Sequence, residues 1–128
     1  MIYLEKKAVR LWQEAMRIMW CGRCGVCKAP GHAGHHIIPR DYLDAKFSLF
    51  NGIYLCTPCH NNVELLPDSY ILGILNERYP YLYEWHITNK PIIMKSNTWH
   101  NTQFFKDSID NLKGFIEQYE GHFDNILL

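Results

Sequence analysis

Two C-x-x-C pairs, Cys24-Gly25-Val26-Cys27 and Cys56-Thr57-Pro58-Cys59, constrain this 128-residue chain more than any other feature. A turn of that spacing presents two thiolates on one side of an ion, so two such turns close the tetrahedral shell of Zn²⁺. Cys21-Gly22-Arg23-Cys24 has the same spacing, and either pair suits the first half of the site. Gly25 inside the turn and Lys28 after it favour Cys24 and Cys27, because Cys21 follows Trp20 at the end of a helical stretch. Five cysteines, four of them paired in this way, argue for a thiolate metal site in a reducing compartment over a secreted disulfide framework. Four thiolates leave zinc no open position, so this ion contributes folding energy and does not activate water. His60, directly after Cys59, is thereby released for other chemistry.

A chain of this length, 48% apolar, is expected to bury one modest core as a single domain, residues 1–128. No apolar run reaches the roughly 20 residues of a membrane span, and Met1 to Arg10 carries charges where a secretory signal is apolar. The expectation is a soluble, cytoplasmic protein of a bacterial or phage-infected cell, with no membrane partner. Net charge is zero, but residues 1–50 hold eight Lys and Arg against four Asp and Glu, whereas residues 51–128 hold five against nine. A polyanion is therefore drawn to the first part.

Apolar residues at Leu4, Ala8, Leu11, Trp12, Ala15 and Met19 predict an amphipathic helix to Trp20. Residues 21–34, rich in Gly and Cys, read as a knuckle of tight turns, followed by a short strand at 35–39 (HHIIP) and a second at 51–55 (NGIYL). Thr57 is a candidate cap with Pro58 at the first helical position, placing Cys59 and His60 in the first turn and Glu64 one turn on. A further helix is expected from Pro67-Asp68 to about Arg78, and Lys90 to Thr98 reads as irregular or weakly extended. Phe105, Ile109, Leu112, Ile116 and Tyr119 predict a last helix whose stripe is core, or a seam between two copies.

His35, His36 and His60 have the arrangement of a second site. Cys24-x-x-Cys27, then Gly34 to Arg40 (GHHIIPR), then Asn51 to Cys56 (NGIYLC) with Cys59-His60 resembles the HNH endonuclease family in its zinc-stapled form, over about residues 24–64. The resemblance implies an α+β, mainly helical protein with a ββα-metal core, treble-clef-like at the zinc, at residues 21–66. An N-terminal helix (1–20) and a helical C-terminal extension (67–128) would flank it. It further implies a metal-dependent DNA endonuclease: His35 and His60 as ligands of a catalytic divalent cation (Mg²⁺, Mn²⁺ or Ni²⁺), His36 as general base, and Asn51 as the residue that steadies the hairpin and orients the base. Water attack would leave a 5′-phosphate and a 3′-hydroxyl. Neighbouring side chains of a strand face opposite ways, so His35 and His36 address one metal only if the strand twists or ends there, and their labels are exchangeable.

Glu64 is either a further ligand of that cation or a solvated surface acid. Arg40 after the strand, and Lys6, Lys7, Arg10 and Arg17 on the first helix, are candidate DNA phosphate contacts or a solvated face. His32, His86, His100 and His122 read as partly exposed polar residues without a role. The tail from Leu66 resembles phage recombination nucleases of the NinG type, which raises branched DNA as a substrate. The competing reading is a zinc-containing nucleic-acid-binding module that has lost catalysis. Monomer and homodimer are both open, since two coordinated cuts require two copies.

Overall fold

The computed structural model describes residues 2–96 and 100–120. In chain order the elements are α1 (Ile2–Met19), β1 (Ala33–His36), α2 (Leu43–Lys46), β2 (Gly52–Leu55), α3 (Thr57–Leu65), α4 (Asp68–Arg78), α5 (Pro80–Ser96) and α6 (Thr102–Tyr119). The protein is mainly helical α+β, with β1, β2 and α3 as a ββα-metal core. No helix among the described residues is long and apolar enough to cross a membrane.

The apolar period of α1 buries Ala8, Trp12, Ala15, Met16 and Ile18. Its end is a Schellman closure: Gly22 N–H donates to the Arg17 carbonyl at 2.8 Å and Cys21 N–H to that of Ile18 at 3.1 Å, with Cys21 and Gly22 both left-handed (φ 58° and 69°). The stripe of α6 is core: Phe105, Ile109 and Leu112 pack in one cluster with Ala8, Trp12 and Ala15 of α1. Asn101 caps α6 by accepting from Phe104 N–H at 3.1 Å.

β1 and β2 pair antiparallel, with His35 opposite Ile53 and His36 opposite Gly52. The outer edge of β1 is satisfied by a side chain, since Gln13 donates to the Gly34 carbonyl (3.0 Å) and accepts from its N–H (2.7 Å). The sheet lies on α1 through glycines. A Cβ on Gly52 would stand 2.6 Å from the Trp12 ring and 2.8 Å from Met16 Sδ. Trp12 is fully buried and its Nε1 donates to the Ser48 carbonyl at 2.9 Å, so the ring has nowhere to move. Gly52→Ala is therefore expected to destabilise the fold by about 1–3 kcal/mol through overpacking, read as a fall in denaturation midpoint; an unchanged midpoint would show that α1 yields.

Three expectations are corrected. The first strand is Ala33–His36, starting two residues before and ending three before the expected 35–39; it ends early because the backbone of Ile38 bonds to the Asn51 side chain and not to a ladder. Cys56, not Thr57, is the N-cap of α3, with no side-chain cap bond, since its sulfur turns to the other cysteines. Lys90 to Ser96 is helical as the end of α5, with Pro91 inside it; residues 97 and 98 and His122 lie outside the described residues. Neither the short α2 nor the start of α5 at Pro80 is expected from the sequence.

Candidate active site

The sulfurs of Cys24, Cys27, Cys56 and Cys59 all lie within 4.8 Å of one another. The Cys27 and Cys56 sulfurs are 3.6 Å apart, against about 3.8 Å for the edge of a tetrahedron with Zn–S bonds of about 2.3 Å. Local backbone geometry builds the first half. Cys24 N–H donates to the Ala29 carbonyl (2.7 Å) and Lys28 N–H to that of Cys24 (3.0 Å), closing a knuckle with Lys28 left-handed at φ 67°. Gly25 and His32 N–H groups then dock it on the Tyr54 and Leu55 carbonyls of β2 (2.7 and 2.8 Å). Cys21 stands outside the cluster, at the end of α1.

The four thiols do not share one protonation preference. Burial works to raise Cys24, but backbone hydrogen bonds from Cys27, Cys56 and Val26 outweigh it and bring it down to about 6. Cys59 is pushed far up by burial and by the neighbouring thiols. Four thiolates this close need a cation to exist together, and this donor set fits zinc.

Alternation along β1 sends the two strand histidines to different faces. His35 turns toward α3, where its ring stands edge-on to His60 with centroids 5.2 Å apart. Two imidazoles sharing one ion at about 2.1 Å, at angles between square and tetrahedral, have centroids about 4.6–5.3 Å apart, a range that includes this spacing; among the described residues the four cysteines are the one group of three or more ligands whose donor atoms meet within 4.8 Å. Burial and the neighbouring His60 hold the His35 imidazole below its ordinary value, against Glu64 and Asp68, which keeps it in the neutral form a metal takes. Glu64 Oε1 is 3.1 Å from His60 Nε2, one turn on, with its side chain 61% exposed. It is thus a surface acid and also part of the imidazole cluster. Two imidazoles and a carboxylate suit a transition ion or Mg²⁺.

His36 faces α1 and stacks on Trp12, with centroids 3.9 Å apart and planes 8° from parallel. Its Nε2 is 2.8 Å from the Lys46 carbonyl. A carbonyl only accepts, so Nε2 carries the hydrogen and Nδ1 keeps the lone pair. Burial, with Lys46, His35 and Arg40 nearby, lowers His36 to about 4 although the Lys46 carbonyl bond opposes this, so the ring is neutral at pH 7.

Asn51 is fully buried. Its Oδ1 accepts from Ile38 N–H at 2.6 Å, and its Nδ2 donates to the Ile38 and Ala45 carbonyls at 3.0 and 3.2 Å. It ties both ends of the long β1–β2 connection. Ala45 and Lys46 are consecutive in α2, and their carbonyls hold Asn51 and His36, that of Ala45 while also accepting from Ser48 N–H at 3.1 Å. Asn51 thus reaches the His36 ring through α2, without touching it.

His35, His36, His60, Glu64 and Arg40 line one cavity of about 870 Å³. Val9 and Gln13 of α1 line it as well. Lys6 and Arg10, one turn apart, are exposed together on one flank of that row, while Lys7 is half-buried and projects from the far side of the helix. Arg17 is paired with Glu14 at 2.6 Å. Of the histidines given no role, His32 is exposed, and His100 bonds Asp44 through Nε2 at 2.5 Å. His86 departs most from expectation: it is buried, and it lines the cavity from α5. Trp12, Gln13 and the Lys46 carbonyl support the site without any local sequence signal, since each acts across 20 or more residues or through backbone.

Neither the curated proteins nor the solved structures compared with the chain gave a match. The family comparison did, over residues 21–64. That segment holds the sulfur cluster, His35, His36, Asn51, His60 and Glu64, and it is what the model of the HNH endonuclease family matches.

Proposed function

We propose that the protein is a metal-dependent endonuclease that hydrolyses phosphodiester bonds of DNA. The observation that carries this reading is the sharing of one cavity by His35, His36, His60 and Glu64 in the segment that matches the HNH family, apart from the four sulfurs. The sulfurs hold a structural zinc. His35 and His60, with Glu64 beside them, hold the catalytic divalent cation. Bound there, that cation would supply a positive charge for the phosphoryl group and the leaving oxygen.

The rest is work for this chain's own residues. His36 Nδ1 takes the proton of the attacking water, with the ring held in plane by Trp12 and in one tautomer by the Lys46 carbonyl. A phosphodiester anion in the cavity raises the His36 pKa from its depressed value toward neutrality, the direction that improves a base. Arg40, at the cavity rim, donates to phosphate oxygens. As water oxygen bonds to phosphorus the bond to the 3′ oxygen breaks, leaving a 5′-phosphate and a 3′-hydroxyl.

Plasmid nicking tests this. The wild type is expected to nick with Mg²⁺ or Mn²⁺ and to stop with EDTA. His60→Ala is expected to lower nicking by roughly 10²-fold or more, above the 10–100-fold that loss of an outer-sphere partner costs. A folded, zinc-loaded wild type that never nicks would leave the zinc-containing binding module in its place.

A further inference from the structure

α5 lies outside the segment that matches the family, yet His86, Lys90 and Met94 all line the histidine cavity. They recur every four residues, so one stripe of the helix forms a wall of the site. His86 is only 5% exposed, and its Nδ1 is fully buried without a hydrogen-bond partner among the described residues. Orphaned buried N–H groups are rarer than under-used acceptors, so Nδ1 keeps the lone pair and Nε2 carries the hydrogen. Burial and then Lys90 hold this ring below its ordinary value, against Asp68, so it stays neutral. His86 therefore offers the cavity an uncharged N–H donor.

Lys90 follows one turn later, half-buried, and makes no ion pair among the described residues. Lys46, the other lysine of the cavity, is held by Glu5 at 2.7 Å. A donor and an uncommitted cation one turn apart match the oxygens of a phosphodiester. We propose that His86 and Lys90 form a phosphate subsite on α5, which takes a phosphodiester of the bound DNA next to the one that is cut. This subsite rests on the endonuclease reading of the cavity and adds to it a contact that orients the strand.

Fluorescence anisotropy of a short labelled duplex, in buffer without divalent ions, tests binding apart from cleavage. Lys90→Ala is expected to weaken binding roughly five- to tenfold near 0.1 M salt and to reduce the slope of log Kobs against log salt by about 0.9, the share of one phosphate. His86→Leu is expected to weaken binding without changing that slope, because a neutral donor releases no counterion. Lys113→Ala on α6 changes neither. Melting curves establish that each variant folds, and the half-buried Lys90 keeps the test open if His86→Leu does not.

Lys90→Ala with wild-type affinity and slope overturns the subsite, as does a wild type that binds no DNA in that buffer. Nicking by the same proteins with Mn²⁺ separates the two readings. A wild type that shows the Lys90 effect in binding but never nicks keeps the subsite and loses the endonuclease; one that nicks while Lys90→Ala binds normally loses the subsite alone.

Discussion

Cys59→Ser is expected to leave the purified protein without zinc and with its β1–β2–α3 region unfolded. The argument is one of magnitude. Structural zinc in small domains contributes apparent free energies of about 10–16 kcal/mol near neutral pH, whereas a whole domain is stable by about 5–15 kcal/mol. Beneath the sulfurs lies a small core, Cys24, Ile53, Leu55, Cys56 and Val63 with residues from α4 and α5. The other main cluster, where α1 meets α6, does not include the cysteines. Loss of the ion should therefore remove the sheet and α3 first while part of the α1–α6 helicity persists. Zinc content by mass spectrometry, far-UV circular dichroism and the dispersion of amide signals from residues 24–64 check this; a variant free of zinc that keeps those signals dispersed would overturn it. EDTA should behave differently. It removes the cation proposed at His35 and His60 quickly, and Mg²⁺ alone should restore nicking, because four thiolates hold zinc far longer.

The legible parts of this protein were those whose chemistry is written in adjacent residues. The cysteine pairs, the His35-His36 doublet, Asn51 and His60 sit at fixed short spacings, and the structure gathers the four sulfurs in one place and His35 with His60 in another. The helices of α1, α4 and α6 were legible from period and punctuation. What could not be read acts through tertiary contact. Nothing near Trp12 says that its ring stacks on His36, or that Gln13 completes the edge of β1. α2 is one turn long and matters for its carbonyls, which every residue has. No part of α5 is expected from the sequence, and its end reads as irregular or weakly extended although it is helical. Pro91 denies a hydrogen bond to the Ile87 carbonyl, but Ile87 is 51% exposed, so water can serve it and the helix continues. That continuation carries Lys90 and Met94 to the cavity wall.

His36→Ala should lower nicking by about 10²–10⁴-fold, the usual contribution of a positioned general base, with zinc retained. Two effects have to be separated, because His36 is also structural. Truncation removes the stack on Trp12 and leaves the Lys46 carbonyl without its donor, a loss of about 1–3 kcal/mol that lowers stability but leaves a folded protein. His36→Gln isolates the chemistry. Its amide can still donate to the Lys46 carbonyl, yet no neutral amide takes a proton from water at pH 7, so nicking should fall as far as in the alanine variant while the melting temperature recovers. Metal rescue then distinguishes base from ligand. A variant that lacks one ligand binds the cation more weakly, so raising Mn²⁺ should restore part of the activity of His35→Ala and none of that of His36→Ala. The reverse pattern would exchange the two roles, and nicking undiminished in His36→Ala would remove the base from this site altogether. The stacking geometry favours the first outcome: His35 is the strand histidine that faces His60, and the ring pinned between an indole and a carbonyl is the one whose single remaining lone pair is fixed in direction.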